Sequence, residues 1–186
     1  MNKPIWAVKA FAFSTLALSL GACSTINLPS RSPSATSNTP TVTADYSSRI
    51  PQHIKPGAKT VVIDPNVHVW GAYDSSGNLV RSGLTTAGSS WCPDIHRACK
   101  TRSGTFHVQS LGAASCKSSI YPLPRGGAPM PYCMFFNGSQ GMHGTYGNGV
   151  VEGNISHGCV RLHVSDAEWL RFNFVNVGTR VVVKPY

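Results

Sequence analysis

The sequence predicts a mainly β domain with a single helix, and three observations carry that expectation. Short runs of β-branched and aromatic residues recur with turn residues between them. Eighteen Gly and thirteen Pro in 186 residues argue against a helical bundle, because both residues break helix interiors. Only one segment carries a helix-start signature. Many short strands with one helix imply a β-sandwich or barrel-like architecture. The hydrophobic share of 41 % supplies a core and excludes a wholly disordered chain.

The N-terminal elements come first. Lys3 and Lys9 flank the start of an apolar stretch over residues 10–20, too short for a membrane span of about 20 residues. Leu20-Gly21-Ala22-Cys23 follows, with small residues where signal peptidases cut. This tetrapeptide resembles a bacterial lipobox. The resemblance implies a signal peptide over 1–22 and lipidation of Cys23, and Ser24 after it favours the outer membrane over the inner. Residues 24–45 hold ten Ser/Thr and three Pro and cannot offset their ordering entropy by burial. The segment 23–57 is therefore expected to be a flexible tether.

The folded part is expected over 58–186. Thr60 to Ile63 reads as a strand, and Val67 to Tyr73 as its partner. Asp74-Ser75-Ser76-Gly77-Asn78 is a turn, and Leu79 to Leu84 returns as a hairpin strand. Thr105 to Gln109, Tyr132 to Phe136 and Val177 to Val183 complete the strand list. Ser165 and Glu168 form a capping-box pattern, with Ser165 as N-cap. The helix is expected to bury Trp169, Leu170 and Phe172 and to end near Asn173.

Sixteen Lys+Arg against seven Asp+Glu give a net charge of +9, which suits an anionic partner. Export makes nucleic acid an unsuitable one. Of the six Cys, Cys23 is assigned to the lipid and five remain. An odd number in an exported chain points to one free thiol. Cys92 with Cys99 and Cys116 with Cys133 bracket two loops, so local pairing is the economical arrangement among the three connectivities open to four Cys. Their spacing lacks a zinc-site pattern.

Cys159 stands apart, in Ser156-His157-Gly158-Cys159-Val160-Arg161-Leu162. A neighbouring His can take the thiol proton, and the thiolate is the nucleophile. Near neutral pH such a thiol is expected to outpace free cysteine. The backbone N–H groups of Gly158 and Cys159 are candidates for an oxyanion hole. A second His, His143, lies sixteen residues upstream within Met142-His143-Gly144-Thr145. A thiol, two His and glycines suit acyl transfer. Two other classes compete: a non-catalytic surface lipoprotein that binds peptidoglycan or a host ligand, and a zinc site built from His143, His157, Cys159 and His163.

His143 followed by Ser-His-Gly-Cys strongly resembles the catalytic domain of the L,D-transpeptidases, the YkuD-like domain. Val61 to Asp64 with Val67 to Tyr73 resembles that family's opening hairpin. Thr101 to Phe106 resembles its Thr-Pro-x-Gly-x-Phe segment, with Arg102 in place of Pro. Met130 to Met134 resembles the strand before the catalytic His. The resemblance implies a β-sandwich of mixed sheets and a periplasmic enzyme acting on peptidoglycan stem peptides as a monomer. It implies Cys159 as nucleophile, His143 as general base and acid, and the Gly144 carbonyl orienting His143. His157 and Gly158 would line the site, and Ser156 and Arg161 would contact substrate. It requires no metal and no organic cofactor. The product would be a 3→3 crosslink formed through a thioester, or a trimmed stem if water is the acceptor.

Overall fold

Val61, Val62 and Ile63 are apolar without a break, so a strand here must bury both faces. The computed structural model, which describes residues 45–186, bears this out. The signal segment, Cys23 and the tether up to residue 44 lie outside the described residues. Thr60–Asp64 (β1) pairs antiparallel with Val69–Tyr73 (β2), and all ten residues are buried. Val61, Ile63, Trp70 and Ala72 face the main core, while Val62, Val69 and Tyr73 face a second, smaller cluster. The period-2 alternation of side chains along a strand accounts for this division.

The second cluster is closed by residues assigned to the tether from sequence. Ile50 is 6 % exposed, and Tyr46 and Ile54 pack beside it. Tyr73 Oη donates to the Pro51 carbonyl at 2.7 Å, and Leu79 N donates to the Gln52 carbonyl at 2.9 Å. The expected boundary at residue 57 is thus too late. Three apolar side chains between 46 and 54 gain more from covering β1 and β2 than their short stretch loses in entropy.

Leu79–Thr86 (β3) follows the turn, where Gly77 takes φ 87° and Asp74 Oδ1 accepts from Asn78 N at 2.9 Å. Gly104–His107 (β4) and Ser110–Leu111 (β5) come next, then Met134–Asn137 (β6), Gln140–Thr145 (β7), Val160–His163 (β8) and, last, Arg180–Val183 (β9). They form one mixed nine-stranded sheet in the order β4-β9-β1-β2-β3-β8-β7-β6-β5. The two edge strands, β4 and β5, are separated in the chain by Val108 and Gln109 alone. The sheet must therefore curl until its edges nearly meet. Inside the curl, Val61, Ile63 and Trp70 from one half pack with Met134, Phe136, Met142, Val160 and Leu162 from the other. This is the expected β-sandwich of mixed sheets, made from one sheet folded over.

The helix differs from expectation. Val164–Trp169 (α1) has His163 at the N-cap, without a side-chain cap. Ser165 is inside the helix, so the capping box does not form. The buried acid of the first turn is Asp166, whose Oδ1 accepts from Arg81 at 2.7 Å and ties α1 to β3. The next residues, Leu170–Phe174, widen into a π turn in which Val175 N bonds the Leu170 carbonyl at 2.7 Å. That extra residue per turn rotates Phe172 outward, to 62 % exposure, and Phe174 inward. No helix among the described residues is long and apolar enough to cross a membrane.

Candidate active site

β7 and β8 are parallel neighbours, registered Met142 to Val160 and His143 to Arg161. Met142, Val160 and Leu162 point into the core. By alternation His143, Arg161 and Cys159 share the opposite face, where they border a groove of about 780 Å³. Neither strand stood out in the sequence. Gly141 and Gly144 give β7 low strand propensity, and it forms because β6 and β8 pair with it from both sides.

His143 is 6 % exposed. Its Nδ1 lies 2.8 Å from the Gly144 carbonyl, so Nδ1 carries the proton and Nε2 keeps a free lone pair. A Cβ on Gly144 would lie 3.0 Å from Val164 Cα and 3.1 Å from Pro131 Cγ, so a side chain here would require these neighbours to give by a few tenths of an ångström. Cys159 is the free cysteine of the described residues. Its Sγ is 3.5 Å from the Ser139 carbonyl.

Burial pushes the Cys159 thiol above its ordinary range, against the Gly141 N–H and the Arg161 charge, which pull it down. Burial also pushes His143 below the usual imidazole value; the Gly144 bond opposes this and Arg161 adds to it. Both shifts favour the uncharged forms, because desolvation of the charged forms outweighs their local partners, a direction opposite to the expected ease of forming the thiolate.

The loop that carries Cys159 is held from several directions. Ser156 is 1 % exposed, and its hydroxyl donates to the Cys159 carbonyl and accepts from Gly158 N at 3.1 Å. Ser156 thus shapes the loop, and its hydroxyl is not turned to a ligand. The Gly158 N–H is already engaged, which removes it from the oxyanion role. Gly158 takes φ 120°, a conformation that favours glycine. Its carbonyl accepts from Thr101 Oγ1 at 2.9 Å, and Thr101 N donates to Tyr186 Oη at 2.8 Å. Tyr186 closes the circuit by donating to the Gly88 carbonyl at 2.8 Å. Sequence reading missed the bracing roles of Thr101, Tyr186 and Gln140. Gln140 donates to the Lys100 carbonyl at 2.9 Å and accepts from Arg102 N at 3.0 Å.

Disulfides Cys92–Cys99 and Cys116–Cys133 close the two loops beside the groove. Both loops meet at His157. Asp94, from the first, reaches His157 Nε2 at 2.7 Å, and Tyr121, from the second, packs its ring 4.5 Å from the imidazole. His143, His157, Cys159 and His163 do not converge as a zinc site. Among the described residues, the group whose ligand atoms come together is Cys92, Asp94 and His157, and Cys92 is spent in its disulfide. Arg161 forms no ion pair with any carboxylate of the described residues.

The curled mixed sheet thus places His143 on β7, and Cys159 at the head of its parallel neighbour β8, on one face of the groove. Residues 58–183 match the family model of the L,D-transpeptidase catalytic domain, YkuD, and the chain belongs to that family. An L,D-transpeptidase from Xylanimonas cellulosilytica is similar in structure, with a TM-score of 0.60 and 22 % identity over 74 % of this chain and 66 % of that one. One from Mycobacterium smegmatis gives 0.56 and 21 %, covering 68 % and 58 %. An L,D-transpeptidase solved in complex with imipenem gives 0.56 and 24 %, again covering 68 % and 58 %. The chain spans about three fifths to two thirds of the length of these structures. The comparison with curated proteins returned no match.

Proposed function

We propose that this chain is a cysteine-dependent peptidoglycan L,D-transpeptidase. The observation that carries the reading is the His143 tautomer: Nδ1 is bonded to the Gly144 carbonyl, which leaves Nε2 as a base on the groove face shared with Cys159. His143 takes the thiol proton as Sγ attacks the carbonyl at the L-centre of the diamino acid in a donor stem. His143 then returns the proton to the leaving D-Ala amine, and a thioester on Cys159 remains. The side-chain amine of an acceptor stem attacks the thioester, His143 accepts its proton, and a 3→3 crosslink is released with the thiol restored. The Cys159 N–H supports the oxyanion, since Gly158 N is occupied. Arg161 meets a stem carboxylate, in keeping with its lack of an internal acidic partner. With water as acceptor the same chemistry trims the stem.

The proposed setting is the periplasm, with the chain anchored through lipid on Cys23 in the outer membrane. Incubation of disaccharide-tetrapeptide with the enzyme, followed by mass spectrometry, tests the reaction: crosslinked dimers support it, tripeptide alone assigns hydrolysis, and no product sinks both. Acylation of Cys159 by imipenem separates an enzyme from a binding lipoprotein. Cys23→Ala should leave the chain without an acyl mass and outside the membrane fraction.

A further inference from the structure

The groove is one-sided in charge. Arg97, Lys100, Lys117 and Arg161 all line it, and no Asp or Glu among the described residues does. The acid standing beside it, Asp94, is turned to His157. Lys100 is partly committed, since its Nζ donates to the Tyr186 carbonyl and sits 4.7 Å from that ring's centre. Arg97, Lys117 and Arg161 have no side-chain hydrogen bond or ion pair among the described residues. Three cations thus face one concave surface without partners. Arg97 belongs to the Cys92–Cys99 loop and Lys117 to the Cys116–Cys133 loop, so each disulfide loop presents a charge to the groove. Arg161 adds a third from β8, two residues beyond Cys159. Arg97 and Lys117 are exposed and Arg161 is half-buried, and a concave surface lined by one sign of charge focuses its field on an incoming anion.

We propose that the groove is a polycarboxylate site that selects donor stem peptides whose acidic side groups are free, and discriminates against the same stems carrying carboxamides. This deepens the transpeptidase reading and rests on it for the identity of the peptide. The basis is charge complementarity with geometric spread. A stem with several free carboxylates can reach Arg97, Lys117 and Arg161 together. A doubly amidated stem keeps its shape and its terminal carboxylate but loses the other anions these cations could meet. Charge-assisted contacts of this kind are worth roughly twice neutral ones, so replacing two carboxylates should weaken binding by at least about tenfold.

The test measures affinity and turnover separately. Titration calorimetry of the full-length chain carrying Cys159→Ser, with free-acid and doubly amidated tetrapeptide stems, reads the affinity ratio. The expected result is at least about tenfold tighter binding of the free acid, with the preference shrinking as salt rises. The double variant Arg97→Ala and Lys117→Ala, both exposed on loops, should lose most of the preference while keeping the melting temperature. Equal affinities, or a preference that survives the double variant and high salt, would overturn the proposal. Turnover of both stems by wild type is followed in parallel. A preference in binding without turnover upholds the groove and defeats the enzyme reading. Equal binding and equal turnover do the reverse, and binding of neither stem defeats both.

Discussion

Both carboxylate oxygens of Asp94 lie within hydrogen-bond reach of His157 Nε2, at 2.9 and 2.7 Å. One contact therefore joins the Cys92–Cys99 loop to the loop that carries Cys159. The imidazole also packs on Tyr121, so the second disulfide loop is tied to the same point. Asp94→Ala should free the first loop and lower the acylation rate with imipenem by about 3- to 10-fold. The pair is partly exposed, so the melting temperature should move by no more than about 4 °C. An unchanged acylation rate would show that the contact does not position the loop that carries Cys159.

Thiol titration of the native, non-reduced chain in a form lacking Cys23 should find one reactive group, Cys159. Because burial raises its pKa, alkylation at pH 7 should be slower than for free cysteine, with a midpoint above the ordinary thiol value of 9.0. Cys159→Ala should abolish both labelling and turnover. His143→Ala should keep the thiol but cost about 10²–10⁴-fold in acylation. Faster labelling than free cysteine at pH 7 would contradict the upward shift of the thiol.

The same two groups set the pH response. The catalytic form needs neutral His143, whose folded value lies below 6.5, so acylation should fall only at pH below that point. Stability follows the same groups by linkage. His143, depressed in the fold, contributes stability that is present above pH 6.5 and lost as pH falls through its folded value. Cys159, raised in the fold, contributes stability that is present below pH 9.0 and lost as pH rises through its folded value. Melting curves of wild type, His143→Ala and Cys159→Ala across pH check this: each variant should flatten one side of the profile.

Removing residues 1–57 should destabilise the domain, because Ile50 and its neighbours cover β1 and β2. Ile50→Ala alone should cost about 2–4 kcal/mol, read from denaturant unfolding. A chain beginning at residue 45 should match full-length stability. Equal stability of the versions starting at 45 and 58 would show that the cover contributes nothing.

The Cys116–Cys133 bridge closes a loop with few core residues of its own. Replacing both with Ala should lower stability by about 2–4 kcal/mol on chain-entropy grounds. Imipenem acylation should fall as well, since Lys117 and Tyr121 lose their fixed places beside the groove. Unaltered stability and rate would mean that the loop holds itself.

By itself the sequence determined the β1–β2–β3 meander, the single helix, and the family-like pattern of His143 followed by Ser156 to Cys159. These features are written locally, in β-branched runs, a Gly-Asn turn, and residues adjacent in Ser156 to Cys159. The tertiary structure alone decided the rest. Gln140–Thr145 is a strand only because neighbours pair with both its edges. Ile50 is core only because β1 and β2 offer a second apolar face. Asp94 and Thr101 reach the Cys159 loop from distant parts of the chain, with Tyr186 behind Thr101, and no local pattern marks such contacts. Burial, too, is a property of the folded whole. It shifts Cys159 toward the thiol and His143 toward the neutral ring, where the neighbouring residue types alone pointed to a thiolate.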